Sequence, residues 1–165
     1  MQGRKSDLSK KIPPQTFRAN VGAIIINGAG LVLALERKEI PGSWQCPQGG
    51  LDEGEEPLEA VRREILEETG IKASSLELLG AYPHWLVYEF PEEVRAFKTW
   101  RGQAQKWYLF RLEGADGQIT LGDGKEFRAW KWLPMERLLP KVVDFKRPVY
   151  QELAHEFEPY FKGPK

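Results

Sequence analysis

The chain has 165 residues, enough for one domain with a sizeable buried core. Apolar residues make up 41% and charged residues 29%, which excludes a disordered or fibrous chain. Lys plus Arg and Asp plus Glu both number 24, so a uniformly basic surface for coating nucleic acid is excluded and no DNA partner is expected. No apolar run approaches the ~20 residues of a membrane span, so no membrane partner is expected either. The single cysteine, Cys46, cannot form an intrachain disulfide and fits a reducing compartment such as the cytoplasm.

In chain order, residues 1–16 read as a flexible arm. Its basic residues accompany no apolar stretch, unlike a secretory signal. Residues 17–165 read as one domain. Val21 to Ile26 is a continuous apolar run, a buried strand. Asn27-Gly28-Ala29-Gly30 is a turn, and Leu31 to Leu35 a second strand, so the pair forms a hairpin. Ile40 to Ser43 reads as a loop, and Gly49-Gly50 begins another. Pro57 to Thr69 reads as a helix: Pro57 suits its first turn, acidic residues suit its positive end and Gly70 suits its C-terminal cap. Leu76 to Phe90 and Gln103 to Leu112 contain strands, separated by a loop or short helical insertion. Phe127 to Leu133 is a strand, Pro134 to Leu138 a short helix and Arg147 to Phe161 a closing helix. This order predicts an α/β fold with one mixed sheet between helices.

On a helical wheel, Leu58, Val61 and Ile65 form one apolar stripe. Glu64, Glu67 and Glu68, at i, i+3 and i+4, share an adjoining face at the rim of the buried side. Three carboxylates there repel one another, and a divalent cation would relieve the repulsion. The same face also reads as a solvated acidic surface, with Glu59–Arg63 and Arg63–Glu67 as i, i+4 ion pairs.

The whole segment from Gly49 to Ile71 decides between them. Gly49, Glu55, Arg63-Glu64-Ile65, Glu67-Glu68 and Gly70-Ile71 resemble the Nudix hydrolase signature at its nine fixed positions. The resemblance implies the Nudix fold, an α/β/α sandwich, with a loop–helix–loop that holds Mg2+, or Mn2+ in its place. It also implies hydrolysis of a nucleoside diphosphate linked to another group. Hard divalent cations prefer carboxylate oxygens and bridge phosphates. By this resemblance Glu64, Glu67 and Glu68 are metal ligands with the Gly49 carbonyl, and Arg63 orients a glutamate.

Flanking stretches resemble one branch of that family, the plant-type diadenosine tetraphosphate hydrolases and bacterial RNA pyrophosphohydrolases. They are Phe17 to Gly22, Trp44 to Gly50, Gly102 to Trp107, Glu126-Phe127 with Trp130, and Val143 to Tyr150. The branch implies that Glu126 is a further metal ligand or the general base, with Glu67 and Glu68 the other candidates for the base. It implies that Lys106 points at phosphate oxygens, with Arg18 and Arg37 as further phosphate contacts. Phe145 is expected to stack on a base. Trp85 and Tyr88 fall on opposite strand faces, so at most one of them, with Tyr88 the candidate, faces the ligand. His84, which replaces a phenol of the plant-type members, is a further stacking candidate because an imidazole can still stack. Expected substrates are diadenosine tetraphosphate, giving ATP and AMP, or 5′-triphosphorylated RNA. The alternative from another class is a non-catalytic nucleotide- or RNA-binding sensor module.

Overall fold

The computed structural model describes residues 15–162. The expected arm over 1–16 therefore lies almost wholly outside the described residues. The first strand, β1 (Phe17–Ile26), is longer than its apolar run, because its N-terminal half is paired rather than frayed. At its end the Asn27 side chain accepts the N–H groups of Ala29 and Leu31, both at 3.0 Å, and turns the chain into β2 (Val32–Arg37). The hairpin is real but brief: Ile26 pairs with Val32, and the strands then diverge.

That divergence leaves an edge of β1 free, and β4 (Gln48–Gly50) occupies it after the short β3 (Trp44–Gln45). Gly49-Gly50 is thus paired strand, with Val21 opposite Gly49, and not the start of a loop. The helix α1 (Pro57–Thr69) has the expected bounds. Pro57 occupies its first turn, and Gly70 closes it in the left-handed conformation at φ 73°, its N–H on the Leu66 carbonyl.

β5 (Leu76–Ala81) and β6 (Leu86–Glu89) both run antiparallel to β7 (Gly102–Leu112). The expected insertion between them holds one turn of helix, α2 (Glu92–Arg95). β7 lies parallel to β1 along its full length, and β8 (Phe127–Leu133) is antiparallel to β2. The sheet is therefore mixed, ordered β3-β2-β1-β7-β5. After α3 (Met135–Leu138), the expected closing helix is two: α4 (Arg147–Glu156) and α5 (Glu158–Phe161). Pro159 has no N–H to continue the α4 ladder, and Phe157 leaves helical geometry at the joint.

Each sheet face has its own core. Val61 and Ile65 of α1 pack with Val21, Ile25, Leu35 and Phe110 on one face. Val149, Tyr150 and Leu153 of α4 pack with Ile24, Trp107 and Leu109 on the other. The chain is an α/β/α sandwich whose strands alternate their side chains between two covered faces.

Candidate active site

The apolar stripe of α1 is anchored as its spacing predicts: Val61 and Ile65 are fully buried. This rotation carries Glu68 inward with them, to 6% exposure, and leaves Glu64 half-buried and Glu67 exposed. The three carboxylates therefore meet a gradient of solvent across one rim.

Arg63 ties this rim together. Its Nε and Nη2 donate to Glu55 at 2.9 and 3.0 Å, and Nη2 also donates to the Gly50 carbonyl at 3.0 Å. Its Nη1 donates to Glu64 at 2.9 Å and to Glu67 at 3.3 Å. The planar fork of a guanidinium suits such simultaneous contacts. These pairs hold the Glu55 carboxyl below the usual carboxylate range, chiefly through the Arg63 hydrogen bond. Gly49 faces the Glu64 carboxylate so closely that a Cβ would occupy its place. The Gln48 backbone N–H donates to Glu68 at 3.3 Å.

Glu64, Glu67 and Glu68 line one cleft of about 390 Å³ with Asp123 and Glu126. Burial first, then the neighbouring carboxylates, pushes the Glu64 and Glu68 carboxyls upward, Glu68 strongly. Glu126 stands at the exposed rim and is also pushed upward, chiefly by desolvation, while Arg37 and Lys146 oppose the shift. Among the described residues, no three acidic, histidine or cysteine groups are drawn together into a ready-made ligand cluster. The donor set nevertheless suits a hard divalent cation: oxygen donors only, facing one open cleft, with Glu67 and Glu126 raising the proton affinity of Glu64, and Glu126 and Glu64 that of Glu68. Bound positive charge would reverse those shifts.

On the α4 side of the sheet lies a second pocket, of about 370 Å³. Tyr88, Phe90 and Phe145 form its aromatic wall, with Phe145 5.7 Å from Tyr88 and 5.9 Å from Phe90, ring centre to ring centre. Arg37 and Lys98 line it too. Glu126 borders both this pocket and the carboxylate cleft. Tyr88 is buried while Val87, its neighbour on β6, is exposed; Trp85 precedes the strand and is exposed. Burial pushes the Tyr88 phenol up to about 12, so it stays a neutral donor. Arg18 leans over Gly50 and, with Arg37, acts electrostatically on Tyr88.

Two expected substrate contacts fall elsewhere. Lys106 sits between Gln105 and Trp107 on β7, and strand alternation sends it to the α1 face with Tyr108, away from the aromatic pocket. His84 lies exposed in the bend before β6, edge-on to Tyr82 at 6.3 Å, and does not line the pocket.

A buried cation of the pocket is Lys146, which sequence reasoning passed over inside the Val143 to Tyr150 stretch. It is 6% exposed, donates to Gln45 at 3.4 Å and lies 5.7 Å from the Tyr88 ring centre. Burial, then Arg37 and Lys98, pushes its ammonium down to about 8. Its place next to the base-stacking candidate Phe145, immediately before the expected closing helix, was the available signal. Asp123 had none, since it reaches the cleft from a turn remote from α1.

A mixed sheet between two helical layers, with a glutamate-lined helix against its central strand, defines an α/β/α sandwich with an acidic cleft. The NUDIX domain matches residues 16–153, and the chain belongs to the Nudix family. It is 43% identical over 159 residues to Nudix hydrolase 26, chloroplastic, of Arabidopsis thaliana, covering 90% of this chain and 73% of the relative. It is 42% identical over 161 residues to an RNA pyrophosphohydrolase of Cereibacter sphaeroides, covering 93% of this chain and 99% of the relative. Among solved structures, a C. elegans Ap4A hydrolase binary complex superposes with a TM-score of 0.67 at 22% identity, over 86% of this chain and 98% of that one. The last likeness shows the fold alone. No described helix is long and apolar enough to cross a membrane.

Proposed function

We propose that this chain is a divalent-cation-dependent hydrolase of nucleoside 5′-polyphosphates. Its substrates are dinucleoside polyphosphates such as diadenosine tetraphosphate, or the 5′-triphosphate end of RNA. The observation that carries this reading is the position of Glu126, which borders both the carboxylate cleft and the aromatic pocket. A base held by Tyr88 and Phe145 would lead its phosphates straight into the cleft. The names of the relatives, a chloroplastic Nudix hydrolase and an RNA pyrophosphohydrolase, support the substrate class.

Glu64, Glu67, Glu68 and Glu126, with the Gly49 carbonyl, would hold Mg2+ or Mn2+, which polarises phosphate oxygens and lowers the pKa of the attacking water. Phe145 and Tyr88 offer ring faces to the base, and such stacking tolerates any base. Lys146 and Arg37, which line the aromatic pocket, take a phosphate-neutralising role. Arg18 stands at the same side. Arg63 keeps Glu64 and Glu67 aimed into the cleft while its Glu55 clamp fixes it in turn. A cleft carboxylate accepts the proton of water, and Glu67, Glu68 and Glu126 are the candidates, all three lining the cleft. We read the lone buried thiol Cys46, pushed up to about 12 by burial, as an unreactive core group compatible with a reducing, cytoplasm-like compartment.

The test compares diadenosine tetraphosphate with a short 5′-triphosphate RNA by kcat/KM at equal concentration with Mg2+. Glu68→Gln is expected to abolish turnover while leaving the fold intact. Wild-type rates in that variant would sink the carboxylate assignment. A broad nucleotide and RNA panel left intact by the wild type would make the chain a binding module instead.

A further inference from the structure

A chain of side-chain amides, buried at Asn20 and Gln105, reaches the aromatic pocket at Gln48. It begins at Trp107, fully buried, whose indole N–H donates to Gln105 Oε1 at 3.0 Å. Gln105, 1% exposed, donates from Nε2 to Asn20 Oδ1 at 2.8 Å and to Gln48 Oε1 at 3.3 Å. Gln48 lines the aromatic pocket through its side chain and holds Glu68 through its backbone N–H.

The chain has a fixed polarity. An indole nitrogen can only donate, whereas an amide can present either end. The Trp107 N–H therefore compels Gln105 to turn its oxygen inward and its NH2 toward Asn20 and Gln48. Both of those protons find an acceptor. Gln48 must then accept with its oxygen, which leaves its own NH2 on the pocket side. Beside it sits the buried Tyr88 hydroxyl, which has no hydrogen-bond partner of good geometry, with Gln48 favouring its oxygen as an acceptor.

We infer that Gln105 is a positioning residue: through the amide chain anchored on the Trp107 indole, it fixes Gln48 with its NH2 facing the pocket, as a donor to a substrate phosphate oxygen. This rests on the proposed nucleotide reading and adds the device that sets the sign of the pocket between base and cleft. An amide in the other orientation would turn a carbonyl oxygen toward an anion. Lys146 and Arg37 line the same pocket, so the anion meets donors from three elements. Glu126 supplies the acidic border.

The test is a double-mutant cycle read as binding of α,β-methylene ATP with Mg2+, by calorimetry at neutral pH. Gln105→Glu keeps an acceptor for Trp107 but offers no proton to Gln48, so Gln48 reverses its amide. The Kd is expected to rise about tenfold, the loss of one hydrogen bond to a charged group. In a Gln48→Leu background, the same Gln105→Glu change is expected to cost almost nothing, because its effect runs through Gln48. A tenfold loss repeated in that background, or Gln105→Glu binding as tightly as wild type, overturns the inference. If Gln105→Glu does not fold, the half-exposed Gln48→Glu replaces it: it still accepts from Gln105 but turns an anionic oxygen into the pocket. Binding weakened about tenfold or more is expected, and unchanged binding overturns the inference. A wild-type protein that binds no nucleotide refutes the functional reading itself, whereas wild-type binding matched by the variants refutes only the role of Gln105.

Discussion

Gly49→Ala separates catalysis from stability more cleanly than changing a glutamate. Gly49 lies in β4, held against β1 by its pairing with Val21. Glu64 projects from α1, whose neighbouring Val61 and Ile65 are fully buried, so the helix has no room to retreat. An added methyl would occupy the position of the Glu64 carboxylate. The displaced atoms are the end of a flexible side chain, so Glu64 yields by rotating, not the backbone by shifting. Rotation breaks its 2.9 Å contact with Arg63. Such a partly exposed pair is worth about 1 kcal/mol at most, or about 2–4 °C in Tm for a chain of this size. Activity should suffer far more, because a catalytic group misplaced by about 1 Å costs about 100-fold. The assay pairs kcat/KM for diadenosine tetraphosphate hydrolysis with thermal unfolding followed by circular dichroism. Unchanged kcat/KM in a folded Gly49→Ala protein would refute the placement of Glu64 in the reaction. A collapse in Tm would refute the premise that only a side chain moves.

Glu68→Gln should stabilise the cation-free protein at neutral pH. Burial, then Glu126 and Glu64, raises the folded-state pKa of Glu68 above its unfolded value. Its contribution is therefore fully present below the ordinary carboxylate range and is lost as pH rises through the raised value. Urea unfolding in EDTA from pH 4 to 8 should show the variant gaining on wild type as pH rises, and a less stable variant at pH 7 contradicts this. Lys146, pushed down to about 8, should lose its proton as pH climbs past that value. KM for a nucleoside polyphosphate is expected to rise there in wild type and to lose that inflection in Lys146→Met; matching pH profiles would exclude Lys146 from the phosphate site. Tyr150→Phe removes the acceptor of the Cys46 N–H, a 2.8 Å bond in a fully buried setting. It should cost about 1–3 kcal/mol with little change in KM, and an unaltered melting curve counts against that bond's role.

The sequence alone was enough for the helix Pro57–Thr69, its caps and the sharing of one face by Glu64, Glu67 and Glu68. Those features follow from local helical geometry and depend on no distant partner. The i, i+4 pair of Arg63 with Glu67 was legible for the same reason, whereas its contacts with Glu55 were not, because Glu55 lies before the helix. Only the tertiary structure decided what lies opposite that helix. Gly49-Gly50 became strand because the divergence of β1 and β2 left an edge to fill. Lys106 and Lys146 look alike as residues, but β7 turns one toward α1, while the start of α4 buries the other against Tyr88. Strand alternation fixes a face only once register and sheet order are known, and both come from pairing between residues far apart in the chain. The carboxylate helix belongs to its own sequence; the aromatic, cationic pocket beside it exists only because β2, β4, β6, β7 and the approach to α4 converge.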